Sequence, residues 1–232
     1  MAKKTVKKVT TITEEIITTN EKTHIHCVLD RSGSMANIID DSIGGLNAFL
    51  DDQRDLPDDA TISIAFFDHE YEMYIEMMDI KEVKNLTRKD WQPRGTTALN
   101  DAIGKSVNDL KTKFAKLGNE KPDKVLICVV TDGHENSSRE FKPEMVKKLI
   151  TDCENNDNWA FVYLAANQDA FAVGSSLGFS GGNTINYMAT ADGVTNMSAQ
   201  VNSLTSTYRS MSVNDDDFKD KKSNLAPDED EK

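Results

Sequence analysis

Apolar residues in this chain fall into two alternating patterns. Short, nearly continuous runs occur at Ile25 to Leu29, Ile62 to Phe67, Val125 to Val130 and Ala160 to Ala165. Runs of that length suit strands buried on both faces, as in a parallel sheet. Between them the apolar residues step by three and four, as on one side of a helix. Ile39, Ile43, Leu46 and Leu50 form one such stripe, with Asp40 and Asp41 at its favourable N-terminal end. Leu99, Ile103, Val107, Leu110, Phe114 and Leu117 form a second. Met145, Val146, Leu149, Ile150 and Cys153 form a third, behind Pro143 in the opening turn. A short helix over Phe171 to Leu177 before Gly178, and a last one carrying Val194, Val201, Leu204 and Tyr208, complete the set. Residues 70–78 alternate more loosely, which predicts an antiparallel hairpin with the second strand. The resulting fold class is α/β: a doubly wound, mostly parallel sheet with one antiparallel edge strand and helices on both faces.

These patterns divide the chain. Residues 1–21 read as a basic segment in which the Thr-, Val- and Ile-rich stretch Thr5 to Thr19 forms an edge strand. Residues 22–180 read as the main domain, and 181–213 as an extension whose helix packs on it, with Gly181-Gly182-Asn183 as a turn. Residues 214–232 read as an acidic, disordered tail.

Charge and composition narrow the chemistry. The net charge is −12, and the four lysines of residues 1–8 balance the excess of eight acids over four lysines in residues 214–232, so the body carries the whole imbalance. Such a surface repels phosphate backbones and anionic lipid, which argues against nucleic acid and membranes as partners. No apolar run approaches the ~20 residues of a membrane span, and polar residues follow the basic start where a signal peptide needs its apolar stretch. Cys27, Cys128 and Cys153 fall on apolar elements and read as reduced core thiols, which places the protein in the cytoplasm.

Three polar corners interrupt this pattern. Asp30-Arg31-Ser32-Gly33-Ser34 follows the first strand, Gly95-Thr96-Thr97-Ala98-Leu99 opens a helix, and Thr131-Asp132-Gly133 ends another strand. The carboxyl edge of an open α/β sheet is where ligands bind, and oxygen donors there suit Mg²⁺. Each residue taken alone is also an ordinary helix cap; it is their convergence that predicts a metal site.

In that order and setting, the three motifs resemble those of the von Willebrand factor A domain over roughly residues 22–180. The resemblance implies a metal-ion-dependent adhesion site built from Asp30, Ser32, Ser34, Thr97 and Asp132, holding Mg²⁺, with Mn²⁺ or Ca²⁺ as alternatives. Of Thr96 and Thr97, the Gly-x-Thr-x-Leu spacing favours Thr97. It further implies that an Asp or Glu of a protein partner completes the coordination, and that the domain binds rather than turns over. Two other readings are a metal-dependent hydrolase or phosphotransferase acting through Asp30, and an assembly component in which the metal is secondary. The residue two beyond Asp30 is Ser32 rather than a second aspartate, and neither a Gly-x-x-x-x-Gly-Lys nor a Gly-x-Ser-x-Gly motif occurs, so the expectation is that the protein is not an enzyme.

Neighbouring polar residues are assigned less. His134, Glu135 and Asn136 read as a solvated rim, Asp68, His69 and Glu70 as turn residues, and Arg31 as an exposed charge steering an acidic ligand. His24 and His26 read as satisfied sheet histidines, Asp101 as a helix-dipole partner, and Asn167 and Asp169 as bordering the site. The sequence leaves oligomeric state and partner identity open.

Overall fold

The computed structural model describes residues 21–166 and 169–226; the edge strand expected over Thr5 to Thr19, and Asn167, lie outside them. One six-stranded sheet runs through the molecule in the order β3-β2-β1-β4-β5-β6. The strands are β1 (Thr23–Asp30), β2 (Ala60–Phe67), β3 (Tyr71–Asp79), β4 (Lys124–Thr131), β5 (Trp159–Ala166) and β6 (Thr184–Tyr187). All neighbours are parallel except β2 and β3, which pair antiparallel with a register irregularity between Ile62 and Ala65.

Alternation along each strand separates two cores. Ile25, Cys27 and Leu29 of β1, with Leu126 and Cys128 of β4, face the layer formed by α1 (Ile39–Arg54) and α5 (Ala191–Ser210). Val28, Val125, Ile127, Val129 and Phe161 face α2 (Leu99–Leu117), α3 (Pro143–Asn156) and α4 (Ala170–Leu177). Each fully buried aliphatic or aromatic side chain contributes about 1.5–3 kcal/mol, so the two layers hold the strand ends rigidly beneath the loops. Cys27 and Cys128 lie opposite one another in register and, like Cys153, are free and buried.

Two expectations for the C-terminal third change. The extension beginning at residue 181 is part of the sheet: β6 pairs with β5, from Tyr163 opposite Thr184 to Ala166 opposite Tyr187. Its four residues are too few for an apolar run to stand out, which is why the hydrophobic pattern passed over it. Nor is residue 214 the start of a disordered tail. A short helix α6 (Phe218–Lys222) buries Phe218, and Leu225 is buried behind it. Asn183 anchors this segment, donating from Nδ2 to the Lys222 carbonyl at 2.9 Å and accepting from Leu225 N–H at 2.8 Å. Lys222 turns inward and donates to the carbonyls of Glu154 and Asp157 at the end of α3. Two apolar anchors and a buried amide outweigh the charged composition there.

On the α2 side of β1, His24 and His26 are fully buried. His24 Nδ1 lies 2.8 Å from Thr61 Oγ1, whereas His24 Nε2 and both nitrogens of His26 have no protein partner. The expectation of satisfied histidines therefore fails for His26. Burial drives both imidazoles down to about 3, helped for His24 by its neighbour His26 and by Lys113. In the unfolded chain each titrates near 6.5. Between those values the unfolded state binds the extra proton, so this contribution is complete above pH 6.5 and is lost as the pH falls toward 3. Replacing His26 by Leu removes one such proton. Relative to wild type, His26→Leu is expected to gain about 1.4 kcal/mol of unfolding free energy per pH unit below 6.5, measured by urea unfolding from pH 7 to pH 5. Parallel pH profiles for the two proteins would refute this account.

Candidate metal centre

The three polar corners meet at the carboxyl edge of the sheet, between β1 and β4. Asp30 ends β1 and is fully buried. Its Oδ1 accepts the Ser32 N–H at 2.6 Å and its Oδ2 accepts Thr131 Oγ1 at 2.6 Å. Ser32 Oγ lies 3.0 Å from Ser34 Oγ, and Ser34 Oγ donates to Asp132 Oδ1 at 2.6 Å. Thr97 arrives from the loop before α2. An ideal Cβ built on Gly133 would lie 3.0 Å from Thr97 Oγ1, 3.2 Å from Ser34 Oγ and 3.7 Å from Ser32 Oγ. The three hydroxyls thus surround one small space that glycine keeps clear. All five expected residues are brought together, and Thr97 rather than Thr96 supplies the hydroxyl.

Electrostatics explains why the cluster is unlike a row of helix caps. Ser32, at the first turn, makes no side-chain cap bond to it. Burial raises the Asp30 carboxyl to about 6, against the bonds from Thr131 and Ser32, and Asp132 adds further repulsion. Burial likewise raises Asp132, opposed by the bond from Ser34. Two desolvated carboxylates beside three neutral hydroxyls form an oxygen-only donor set, which is the chemistry of a hard divalent cation.

The surroundings depart from the sequence reading. Arg31 is not an exposed steering charge: it is buried, donating from Nε to Asp68 Oδ2 at 2.9 Å and from Nη1 to Glu72 Oε2 at 2.7 Å. Asp68 is more than a turn residue. Its side chain is fully buried and also accepts from Arg94 Nε at 2.7 Å and from Glu70 N–H at 2.7 Å. Burial pushes its carboxyl up, but the bonds from Arg94, Glu70 and Arg31 outweigh that and hold it below the usual range. Its neighbours His69 and Glu70 are exposed, and the three offer donor atoms within 4.8 Å of one another; the two arginines on Asp68 make this a poor cation site.

The expected solvated rim is partly pinned. Glu135 accepts Asn100 N–H, Ser137 N–H, Ser138 N–H and Ser138 Oγ, at 2.7–2.9 Å. Asn136 exchanges bonds with Thr97, accepting its N–H and donating to its carbonyl, each at 3.0 Å. Asp101 answers by accepting the N–H groups of Arg139, Glu140 and Phe141 at 2.8–2.9 Å. These acids therefore replace a conventional cap at the start of α2 and fix Thr97 against the loop carrying Asp132. Trp91, also missed, is buried and donates from Nε1 to the Asp30 carbonyl at 3.0 Å. Asp169 caps α4 by accepting the Ala172 N–H. Only the acid-rich spacing of residues 132–140 hinted at any of this, because the bonds from Trp91 to Asp30, from Arg94 to Asp68 and from Asn100 to Glu135 join positions 26 to 61 residues apart.

No family model matches the sequence, and no curated protein matches it. Solved structures do. Proximal thread matrix protein 1 of the mussel byssus, in a structure with a zinc-occupied MIDAS motif, is 15% identical over 80% of this chain and 46% of its own, with a TM-score of 0.57. The ArnB paralog VWA2 from Sulfolobus acidocaldarius is 19% identical over 78% of this chain and 44% of its own, with a TM-score of 0.51. A von Willebrand factor type A protein from Catenulispora acidiphila is 13% identical over 79% and 43%, with a TM-score of 0.53. The shared property is the fold: this chain has the von Willebrand factor A architecture. It spans less than half the length of these three structures.

The Gly133 geometry yields a direct prediction. Gly133→Ala is expected to weaken Mg²⁺ binding about 10–100-fold, the range for disturbing groups around metal ligands. Its melting temperature in chelator is expected to stay within a few degrees of wild type, because Gly133 is not in the left-handed backbone region. Isothermal titration with Mg²⁺ and melting in EDTA separate the two effects.

Proposed function

We propose that this protein is a Mg²⁺-dependent protein-binding module, not an enzyme, that captures an acidic side chain of a partner. The observation that supports it is the convergence of Ser32, Ser34 and Thr97 hydroxyls, with Asp30 and Asp132, on the space guarded by Gly133. In this reading those five residues hold the ion. When bound, Mg²⁺ supplies an electrophilic position for a carboxylate oxygen. Neutral hydroxyls satisfy the ion's geometry without cancelling its charge, and the two acids are already engaged by Ser34, Ser32 N–H and Thr131. That leaves attraction for a further acid from outside. The zinc in the mussel protein's MIDAS motif supports a divalent ion here, with Mn²⁺ and Ca²⁺ as alternatives to Mg²⁺.

The partner is a protein presenting Asp or Glu, and the acidic body disfavours nucleic acid. No described helix is long and apolar enough to cross a membrane. Three free, buried thiols support a cytoplasmic setting.

Trp91 provides the test. Of the two tryptophans, it alone donates to the Asp30 carbonyl, while Trp159 sits at the start of β5, at the opposite end of the sheet. Mg²⁺ titration is expected to change Trp91 emission saturably, with the change lost in Trp91→Phe. Asp132→Ala is expected to lower Mg²⁺ affinity at least about tenfold and to abolish retention of partner protein that EDTA also releases. Equal Mg²⁺ affinity in wild type and Asp132→Ala would defeat the reading.

A further inference from the structure

An arginine sits between the first two expected metal ligands, which is an electrostatic contradiction for a cation site. Arg31 follows Asp30 directly, is 7% exposed, and shares the buried Asp68 carboxylate with a second guanidinium, that of Arg94, whose side chain is half exposed. Both lie against the loops that carry the hydroxyls. Arg94 N–H donates to the Arg31 carbonyl at 2.7 Å, and Gly33 N–H donates to the Gly95 carbonyl at 3.2 Å. A buried guanidinium on the loop that carries the hydroxyls opposes an incoming cation, because the protein interior screens its charge less than water does.

Glu72 and Glu70, both exposed, take Nη1 of Arg31 and Nη2 of Arg94, and Asp68 is the buried counter-charge that the two arginines share. It lies just beyond β2, one position past Phe67, which is opposite Asp30 in register. Its carboxylate takes Nε of Arg31 and Nε of Arg94 on the same oxygen, at 2.9 and 2.7 Å. Its backbone carbonyl accepts the Ala98 N–H at 2.8 Å, one residue after Thr97. Asp68 is thus joined to the loop of Ser32 and Ser34 and to the loop of Thr97, without being among the five converging residues.

We infer that Asp68 is a positioning residue for the metal centre: it draws the charges of Arg31 and Arg94 onto itself, so that the loops bearing Ser32, Ser34 and Thr97 can face a divalent cation. The inference rests on the metal-site reading above. It makes Arg31 a structural cation whose charge is neutralised from outside the site, rather than a steering group for a ligand.

The test uses the full chain and Mg²⁺ alone as probe, read by isothermal titration, with folding checked by melting in EDTA. Asp68→Asn keeps the shape but removes the neutralising charge, and is expected to weaken Mg²⁺ binding about 10–100-fold. Combining it with Arg31→Met removes one cation as well, which restores the original net charge of the trio. The double variant is expected to recover to within about fivefold of wild type, which a purely structural role for Asp68 would not produce. Unchanged affinity in Asp68→Asn, or no recovery in the double variant, overturns the inference while leaving the metal site standing. If Asp68→Asn does not fold, the double variant alone decides, and a loss beyond about tenfold overturns the inference. Wild-type protein that binds no Mg²⁺ brings down the metal-site reading and this inference with it.

Discussion

The arrangement depends on one buried carboxylate. Asp30 is fully enclosed at the end of β1, held by Thr131 Oγ1 from β4 and by the Ser32 N–H of its own loop. Taking a carboxylate out of water is costly unless hydrogen bonds or charges answer it. The raised proton affinity of Asp30, to about 6, registers the part those bonds leave uncompensated. A divalent cation placed among the adjacent hydroxyls would supply the rest. The strand pairing of β1 with β4 brings Asp30 and Asp132 together at one edge, so sheet topology and site electrostatics are one constraint.

Around that edge the loops are braced by acids that never reach the hydroxyl cluster. Glu135 accepts the Asn100 N–H at the start of α2, Asp101 accepts the N–H groups of Arg139 and Phe141 in the facing loop, and Asp68 gathers two arginines behind the first loop. A loop with few apolar contacts ordinarily opens easily; here charge-assisted bonds, which are stronger than neutral ones, take the place of packing. The net negative charge of the chain is therefore partly internal architecture.

The opposite end is closed by cations turned inward. Lys124, fully buried, donates to the carbonyls of Arg209 and Met211. Arg209 donates to Asp58 Oδ2 at 2.8 Å and to the Gln53 carbonyl at 2.7 Å, and Lys222 closes the end of α3. These contacts tie α5 and the segment after it to α1 and β4, which keeps the lower layer rigid beneath the site.

Much of this was legible along the chain. Two hydrophobic periods distinguished the strands from the helices. Polar corners at Asp30, Thr97 and Asp132 marked the edge where the oxygen donors converge, because side-chain periodicity and local turn residues are properties of neighbouring positions. Four-residue β6, the helix holding Phe218, the burial of Arg31 and Asp68, and the unpartnered nitrogens of His26 were not legible, since each depends on neighbours far away in sequence. Whether Arg31 steers a ligand or lies neutralised under Asp68 is decided by a contact across 37 residues, and only the folded chain brings those charges within reach of each other. The amino-acid order thus determined the elements and the kind of donor atoms. The tertiary structure decided which charges are buried, because desolvation and pairing are set by three-dimensional neighbours.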